Sequence, residues 1–405
     1  MPAFVFPGQG AQQSGMGRAW VDHPSWELVE DASRATGRDL GHLLVDAGED
    51  ELTETRNAQL ATFTFSLVVL DAVERLGIEP TACAGHSLGE YTALVAAGAL
   101  GFEDGLRVVA ERGEAMQAAA DASPGVMVLL LGCDADTADI ACHLADGDVW
   151  VANHNSADET VIAGEADAVS RAVERAVLLG ARRGVAVPVG GAFHTPFMAP
   201  ARSRLRKALA HATFHQPEIP VIANVDALPH SSAADWQLLL SAQLCSPVRW
   251  RQCVLRLGGL SDPSHDSEQL FVELGPGESL STMVRQTLPS VTCVAVATPD
   301  DLDRLVDAVA GDSALHAFAV GHQGEQLYVS ERVVISPAAG VFVPTGEVAT
   351  LSDGGDGVPI DVGSLIGQIG DTEVRSPFAG RLMGMLAHDG ERVQSGQPIA
   401  WLHAS

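Results

Sequence analysis

Six consecutive residues around Ser87 have the clearest potential for covalent chemistry. The segment Gly85–Glu90 reads Gly-His-Ser-Leu-Gly-Glu. It follows an apolar run and precedes the helix-like segment Tyr91–Ala97, and a serine in that context lies on a sharp strand-to-helix turn that exposes its hydroxyl as a nucleophile. Glycines flank such a turn because a side chain there would clash. A glycine-rich chain of this length contains Gly-x-Ser-x-Gly by chance roughly a quarter of the time. Whether Ser87 is a nucleophile must therefore be judged from the rest of the sequence.

The elements that would position this serine alternate between short apolar runs and helix-like stretches from Met1 to about Pro299. This alternation predicts an α/β architecture. The runs expected to form strands are Ala3–Phe6, Ala82–Gly85, Val126–Leu131, Val161–Ala163, Val221–Val225 and Leu270–Leu274. Within residues 124–190, strand signals surround a helical stretch and are followed by a second amphipathic helix. We therefore expect a small inserted subdomain there.

The residue pattern of the chain changes after about Asp300. One last helix is expected over Leu302–Val309 and a linker over Gly321–Gly324. Two half-units then repeat: Ser336–Phe342 recurs as Ser376–Leu382, and Gly357–Ile366 recurs as Gly390–Ile399. Matched units of short strands and glycine turns predict a small all-β domain with internal two-fold symmetry.

Composition excludes several classes of function. The net charge of -28 argues against binding to nucleic acid or to an anionic membrane, because such binding draws on clustered Lys and Arg. The six cysteines have no CxxC spacing, which indicates reduced core thiols, and no metal site is predicted. The opening segment Met1–Gly10 lacks a signal-peptide pattern, and no apolar run approaches the roughly 20 residues of a membrane span. We expect a cytoplasmic protein.

Eight segments follow the order found in one enzyme family, so the chain resembles the malonyl-CoA:acyl-carrier-protein transacylases over about Met1–Thr298. The segments are Phe6–Gln12, Gly85–Tyr91, Arg112–Gln117, Val151–Ser156, Gly191–His194, Val221–Val225, Gln243–Trp250 and Glu273–Gly277. The resemblance implies an α/β-hydrolase-like large subdomain with an inserted ferredoxin-like small subdomain. It also implies transfer of malonyl from malonyl-CoA to the phosphopantetheine thiol of an acyl carrier protein, in fatty-acid or polyketide synthesis.

The resemblance assigns catalytic roles to individual residues. Because an isolated serine is a poor nucleophile at neutral pH, Ser87 needs a base, and that base is implied to be His194. The main-chain carbonyl of Gln243 is implied to orient the imidazole, so no triad carboxylate is expected. The main-chain amides of Gln9 and Leu88 are implied to form the oxyanion hole. On general grounds alone, His194 would be a solvated loop residue, Gln243 a routine helix residue and Gly8–Gly10 an ordinary turn.

The choice of acyl group rests on further residues. Arg112 is implied to bind the free carboxylate of malonyl as a two-pronged donor, although an arginine on a helix is usually solvated. Phe193 and Leu88 favour malonyl over methylmalonyl, but one methyl group is worth only about 1–3 kcal/mol and Phe193 could simply pack in the core. His86 and Asn155 either line the acyl pocket or are hydrogen-bonded structural residues.

Two basic segments stand out in this acidic chain, Arg182–Arg183 and Arg202–Lys207. Because acyl carrier proteins are acidic, these segments could steer the encounter with the carrier. The alternative is that they are ordinary solvated faces.

The tail resembles a biotinyl/lipoyl carrier domain in its scaffold only. Carrier members present a modifiable lysine at a hairpin tip, but Lys207 is the only lysine of the chain and the Gly370–Asp371 turn is about four residues shorter. Attachment of biotin or lipoate to a lysine of this domain is therefore excluded. We expect residues 1–310 to form the acyltransferase domain, 311–327 a linker, and 328–405 a docking, dimerisation or stabilising domain without a covalent cofactor.

Two other functions remain open from the sequence. One is a malonyl transferase that loads the carrier of a malonate decarboxylase. The other is a scaffold protein that has kept the fold and lost turnover, which the intact Ser87, His194 and Arg112 oppose.

Overall fold

The computed structural model describes residues 2–260, 269–314, 331–345, 358–370, 372–376, 379–387, 390–394 and 397–404. The chain divides into two compact units, Met1–Ala319 and Val320–Ser405. Among the helices of the described ranges, none combines the length and the apolar character needed to cross a bilayer.

Strands and helices alternate in the first unit, as the sequence predicts. Its strands are β1 (Ala3–Phe6), β2 (Ala82–Gly85), β3 (Val126–Leu131), β4 (Val149–His154), β5 (Glu159–Gly164), β6 (Arg183–Val187), β7 (Val221–Ile222), β8 (Pro229–His230), β9 (Leu270–Leu274) and β10 (Thr292–Val296). Its helices are α1 (Glu27–Thr36), α2 (Leu40–Val45), α3 (Glu49–Thr53), α4 (Thr55–Glu74), α5 (Gly89–Ala96), α6 (Phe102–Ala122), α7 (Ala135–Leu144), α8 (Ala166–Leu178), α9 (Ala199–His211), α10 (Ala233–Gln243), α11 (Trp250–Gly258), α12 (Ser279–Thr287) and α13 (Asp301–Ala314).

A six-stranded sheet in the order β10-β9-β1-β2-β7-β8 forms the centre of this unit. The first five strands in that order pair in parallel and β8 pairs antiparallel. Strands β1, β2 and β9 are fully buried, and they are apolar throughout except for Glu273 in β9, as expected for a sheet covered on both faces. Because the carboxyl ends of parallel strands share one edge, the loops after β1, β2 and β7 lie together.

A second, antiparallel sheet has the order β4-β5-β3-β6 and lies within the predicted inserted segment. Helices α7 and α8 pack on it through small apolar side chains such as Ala138, Ala141 and Ala172. The sequence analysis did not predict strand β4, because Asn153 and His154 interrupt its apolar pattern.

The helix pair α4 and α6 supports the first unit beside the central sheet. Helix α4 is buried along most of its length, including polar residues such as Gln59, and α6 contributes the buried Arg112. A helix buried all round is typical of the interior of a large core. These two helices therefore bring polar side chains into an otherwise apolar interior.

The described part of the second unit consists of strands. They are β11 (Glu331–Ile335), β12 (Gly340–Pro344), β13 (Val358–Ile360), β14 (Leu365–Ile369), β15 (Thr372–Arg375), β16 (Gly380–Met385), β17 (Arg392–Val393) and β18 (Pro398–Ala404). Two four-stranded sheets form, β11-β18-β16-β13 and β15-β14-β12-β17. Corresponding strands of the two repeats, such as β12 and β16, begin at corresponding glycines. The predicted linker Gly321–Gly324 and Asp371 lie outside the described residues.

Candidate active site

Ser87 lies on a tight turn between β2 and α5. Its φ of +53° falls in the left-handed region, which is unusual for a residue other than glycine. A Cβ on Gly85 would lie 1.9 Å from the main chain of Gly89, and a Cβ on Gly89 would lie 2.0 Å from the Phe6 carbonyl oxygen. Both neighbours must therefore be glycine for the chain to turn here, and the strain is typical of a functional site.

His194 approaches Ser87 from the loop between β6 and the short 3-10 helix Pro196–Met198. It too has a left-handed φ, +61°. Its Nε2 lies 2.7 Å from Ser87 Oγ, and its Nδ1 lies 2.9 Å from the main-chain oxygen of Gln243. Because a carbonyl only accepts, Nδ1 carries the hydrogen and Nε2 is free to accept one from the serine hydroxyl.

The imidazole of His194 is held in its neutral form. Burial, and next the charge of Arg112, lower the pKa of His194 to about 3. Both causes disfavour a second proton on the ring. At neutral pH the ring is therefore available as a base.

Arg112 is 1% exposed and its guanidinium lies beside the serine. Nη1 donates to Gln59 Oε1 at 2.7 Å, and Nη2 lies 3.1 Å from both Ser87 Oγ and Gln243 Oε1. The guanidinium also lies over the ring of Tyr91, 5.3 Å from its centroid. The alternative of a solvated helix face is wrong. Because these hydrogen-bond partners are neutral, the buried cation can still bind an anionic group.

The two predicted oxyanion donors belong to neighbouring segments. Leu88 is buried and precedes the first residue of α5, where helix amides lack intrahelical partners. Gln9 is half-buried, and the adjacent Gly8 approaches the Ser87 turn so closely that a Cβ there would lie 2.4 Å from the His86 oxygen. Their role as a pair of donors stays a prediction.

The remaining predicted pocket residues have mostly structural contacts. Phe193 is 5% exposed and belongs to the main hydrophobic core. His86 Nε2 lies 3.1 Å from Asn155 Oδ1, and its ring packs edge-to-face on Trp250. The structure therefore brings His86 and Asn155 together with each other, and their contact with an acyl group stays a prediction.

Sequence reasoning assigned no role to three buried polar residues of this region. Glu90 and Asn224 lie within recognised motifs, and Gln59 is a polar residue inside the apolar helix α4. A buried polar side chain needs a hydrogen-bond partner, so Gln59 could have been flagged from its apolar neighbours. Its pairing with Arg112 could not have been predicted, because the two residues lie 53 positions apart.

An open cleft gives access to His194. Its lining includes Trp150, His154, Pro196, Cys245 and Pro247. In the described ranges, His, Cys, Asp and Glu side chains form no group of three or more that could hold a metal ion. The site thus offers a serine, a neutral imidazole and a buried cation next to an accessible cleft.

Comparisons with known proteins identify the family of this chain. The acyl transferase domain family matches residues 3–311. The malonyl CoA-acyl carrier protein transacylase of Bacillus subtilis (strain 168) is 36% identical over 312 residues, which are 76% of this chain and 96% of that protein.

The chain is also similar to solved structures, among them the following two. An acyl carrier protein S-malonyltransferase from Vibrio cholerae has a TM-score of 0.70 and 35% identity, and the match covers 75% of this chain and 99% of that one. A malonyl-transacylase in complex with its type II polyketide synthase acyl-carrier protein has a TM-score of 0.71 and 33% identity, with 75% and 98% covered. The predicted α/β class and family are confirmed, and the chain belongs to the malonyl-CoA:acyl-carrier-protein transacylases.

Proposed function

We propose that this protein transfers malonyl from malonyl-CoA to the phosphopantetheine thiol of an acyl carrier protein through an ester on Ser87. The observation that supports this most is one hydroxyl with two neighbours: Ser87 Oγ lies 2.7 Å from His194 Nε2 and 3.1 Å from Arg112 Nη2. A base and a carboxylate-binding cation on the same nucleophile suit an acyl group that ends in a carboxylate.

In the first half of the reaction, His194 Nε2 takes the hydroxyl proton while Ser87 Oγ attacks the thioester carbonyl of malonyl-CoA. The resulting oxyanion faces the amides of Gln9 and Leu88. The tetrahedral intermediate then collapses, the carbon–sulfur bond breaks, and the thiolate of coenzyme A leaves with the proton from His194. Malonyl remains on Ser87 as an ester.

In the second half, the carrier thiol gives its proton to His194 Nε2 and attacks the ester. The bond to Ser87 Oγ breaks and His194 returns the proton to that oxygen. The Gln243 carbonyl at Nδ1 keeps the imidazole in one tautomer through both halves. The dyad therefore needs no carboxylate partner and no bound cofactor.

Malonyl selectivity rests on Arg112, whose fork binds the free carboxylate. Gln59 and Gln243 hold the two nitrogen atoms of the fork in place. A carboxylate bound there is paired in a dry site, whereas an acetyl group leaves the cation without an anion. Phe193 and Leu88 would disfavour the extra methyl group of methylmalonyl.

The carrier docks at the cleft that reaches His194. Among the two basic segments, Arg204 is paired with Glu111 at 2.8 Å and Arg202 donates to Ser241 at 3.2 Å. The Glu111 carboxylate therefore offsets the charge of Arg204, whereas Arg202 keeps its charge because the Ser241 hydroxyl is neutral. The cytoplasmic location stays a prediction of the sequence.

The layout has three parts in this proposal: an acyltransferase domain over 1–310, a linker over 311–327 and a biotinyl/lipoyl-like barrel-sandwich over 328–405. The predicted start of the linker is corrected by helix α13, which continues to Ala314. The βαββαβ order of β3 to β6 supports a ferredoxin-like insertion in an α/β-hydrolase-like subdomain. The two four-stranded sheets with matching repeats support the barrel-sandwich. Because the hairpin β14–β15 has no lysine, the domain carries neither biotin nor lipoate.

The test is transfer to a purified phosphopantetheinylated carrier, followed by the carrier's intact mass. With malonyl-CoA and the wild-type protein, the carrier should gain one malonyl group, and Ser87→Ala should abolish the gain. Ser281→Ala is the matched control, since Ser281 is a buried serine within α12 and takes no part in the proposed reaction. A carrier that stays unmodified with wild-type protein contradicts the proposal.

A further inference from the structure

A buried polar cluster lies beneath the Ser87 turn, and its side chains touch none of the reacting atoms in the steps above. Its members are Glu90, Asn224 and the side chain of Gln243, each 0% exposed. They come from α5, from the segment after β7 and from the end of α10. Burying three polar side chains is unfavourable unless each is hydrogen bonded. The hydrogen bonds of these three side chains therefore indicate which groups the cluster holds in place.

Asn224 spans the turn with its carboxamide. Its Oδ1 accepts from the Ser87 main-chain N–H at 2.8 Å, and its Nδ2 donates to the Gly85 carbonyl at 2.7 Å. A left-handed residue between a strand and a helix leaves main-chain groups that neither element pairs, and buried ones need partners. One side chain thus satisfies both sides of the strained position.

Gln243 connects the serine turn to the histidine loop. Its side-chain Nε2 donates to the Ser87 carbonyl at 2.8 Å and lies 3.2 Å from Asn224 Oδ1. Its main-chain oxygen accepts from His194 Nδ1. The serine main chain is therefore held on its N–H by Asn224 and on its carbonyl by Gln243, which also fixes the base.

Glu90 joins the two amides. One carboxyl oxygen lies 3.3 Å from the Asn224 main-chain N–H, and the other accepts from the Gln243 side chain. Burial raises the pKa of Glu90 to about 8, so the carboxyl is mainly neutral at pH 7. The cluster consequently adds little negative charge beneath the nucleophile.

We propose that Asn224 is a positioning residue for acyl transfer: it holds the Ser87 main chain in its left-handed conformation, so that Oγ stays on His194 Nε2. This inference rests on the proposed function, because only an acyl-enzyme reaction uses that geometry. A displacement of about 1 Å in a reacting group costs on the order of 100-fold in rate. The side chain touches no reacting atom, so its effect acts through Ser87.

The first test is Asn224→Ala, with wild-type malonylation measured in the same assay. The kcat for acyl-enzyme formation should fall about 100-fold while KM for malonyl-CoA stays within about threefold. Asn57→Ala is the matched control, because Asn57 is also buried and its Nδ2 donates to the Glu51 carbonyl at 2.7 Å. It should lose thermal stability and keep kcat.

The outcomes separate this inference from the proposed function. If the wild-type protein is not malonylated, the proposed function fails. If the wild type is malonylated and a folded Asn224→Ala protein keeps its kcat, the positioning role is overturned.

Asn224→Asp keeps the test decisive if the alanine variant does not fold. A protonated carboxyl has one acceptor and one donor, as a carboxamide does, but an ionised carboxylate cannot donate to the Gly85 carbonyl. The titratable groups around position 224 are Glu90 on α5, Cys253 on α11, and Asp226 and Arg249 close by. Burial beside Glu90 raises the pKa of the new carboxyl.

The kcat of Asn224→Asp should therefore lie nearest to wild type at the acid end of the assay range and fall as the pH rises. The ratio of variant to wild-type kcat is the readout. A ratio that does not change with pH, whether equal to one or below it, contradicts the role of the donated hydrogen bond.

Discussion

Two tight turns place a residue in the left-handed region, and they use different residues to do so. In the second unit, the hairpin between β14 and β15 turns through Gly370 at φ +58°. In the first unit, the turn between β2 and α5 uses Ser87 at φ +53°. Glycine adopts this conformation without a steric penalty, whereas a residue with a side chain is destabilised by about 1–3 kcal/mol.

The surroundings explain how the strained turn persists. A Cβ on Gly370 would meet nothing within 4 Å, so the hairpin only reverses the chain. At the Ser87 turn, Gly85 lies against the main chain of Gly89, and Gly89 lies against that of Phe6. The main chain of Ser87 is hydrogen bonded by the side chains of Asn224 and Gln243. The comparison teaches that the Ser87 turn keeps its strained conformation because the surrounding residues hold it, and that these neighbouring residues are then indispensable.

The largest effect is expected at the enclosed turn. Gly85→Ala places a Cβ 1.9 Å from the Gly89 main chain. Because no side-chain rotation can relieve a clash with the main chain, the turn itself must change its conformation. Acyl-enzyme formation with malonyl-CoA should be lost entirely. Stopped-flow release of coenzyme A measures it, and a Gly85→Ala protein with near wild-type release would show that the turn is not strained as described.

The next largest effect is expected at Arg112, and it tests the role of the cation independently of the turn. Arg112→Ala removes the partner of the malonyl carboxylate, and loss of one member of a buried pair costs about 3–5 kcal/mol. We expect malonyl transfer to fall at least 100-fold, as about 3 kcal/mol implies, and acetyl transfer to change far less. Arg112→Lys is the matched variant, because it keeps the charge and loses the fork. Equal losses for the two acyl groups would rule out the carboxylate role.

A smaller effect is expected from pH. The folded pKa of His194, about 3, lies below the ordinary value of 6.5, so the base stays neutral as the pH falls through 6.5. The unfolded state binds more protons between these two values, so this residue's contribution to stability is lost as the pH falls toward 3. The rate of acyl-enzyme formation should therefore not halve near pH 6.5. A half-point at 6.5 that is unchanged in Arg112→Ala would contradict the electrostatic account.

The smallest effect is expected at the hairpin. Gly370→Ala should lower the stability of the second unit by about 1–2 kcal/mol, because an L-residue is strained at positive φ although space is free. Thermal unfolding measures this loss. Malonylation of the same variant should equal that of wild type, and a deficit there would mean that the second unit takes part in the chemistry.

Sequence patterns predicted the parts of the fold that are locally encoded. The runs at β1, β2, β3 and β9 match the strands because short, mainly apolar runs bounded by other patterns are typical of strands. Strand β10, Thr292–Val296, was not predicted, although Thr292, Val294 and Val296 are residue types enriched in strands. Pairing between strands distant in the chain is a tertiary property.

The residues of the site also differ in whether the sequence could identify them. Ser87, His194 and Arg112 were identified by their motifs, and the structure brings them within 3.1 Å of one oxygen. The bond from Ser87 to Asn224 joins residues 137 positions apart, so no local pattern encodes it. Sequence identified the residues that react and the Gln243 carbonyl that orients His194, whereas Asn224 and Gln59, which hold Ser87 and Arg112, needed the fold.

The central claim is that Ser87 is the residue that receives malonyl. The most direct measurement is peptide mapping by tandem mass spectrometry after the protein is mixed with malonyl-CoA and quenched in acid. One malonyl ester located on Ser87, in the peptide that contains Gly85–Glu90, is the result that this account predicts. A malonyl group on any other residue, or an unmodified Ser87 in a protein that still loads its carrier, would contradict it.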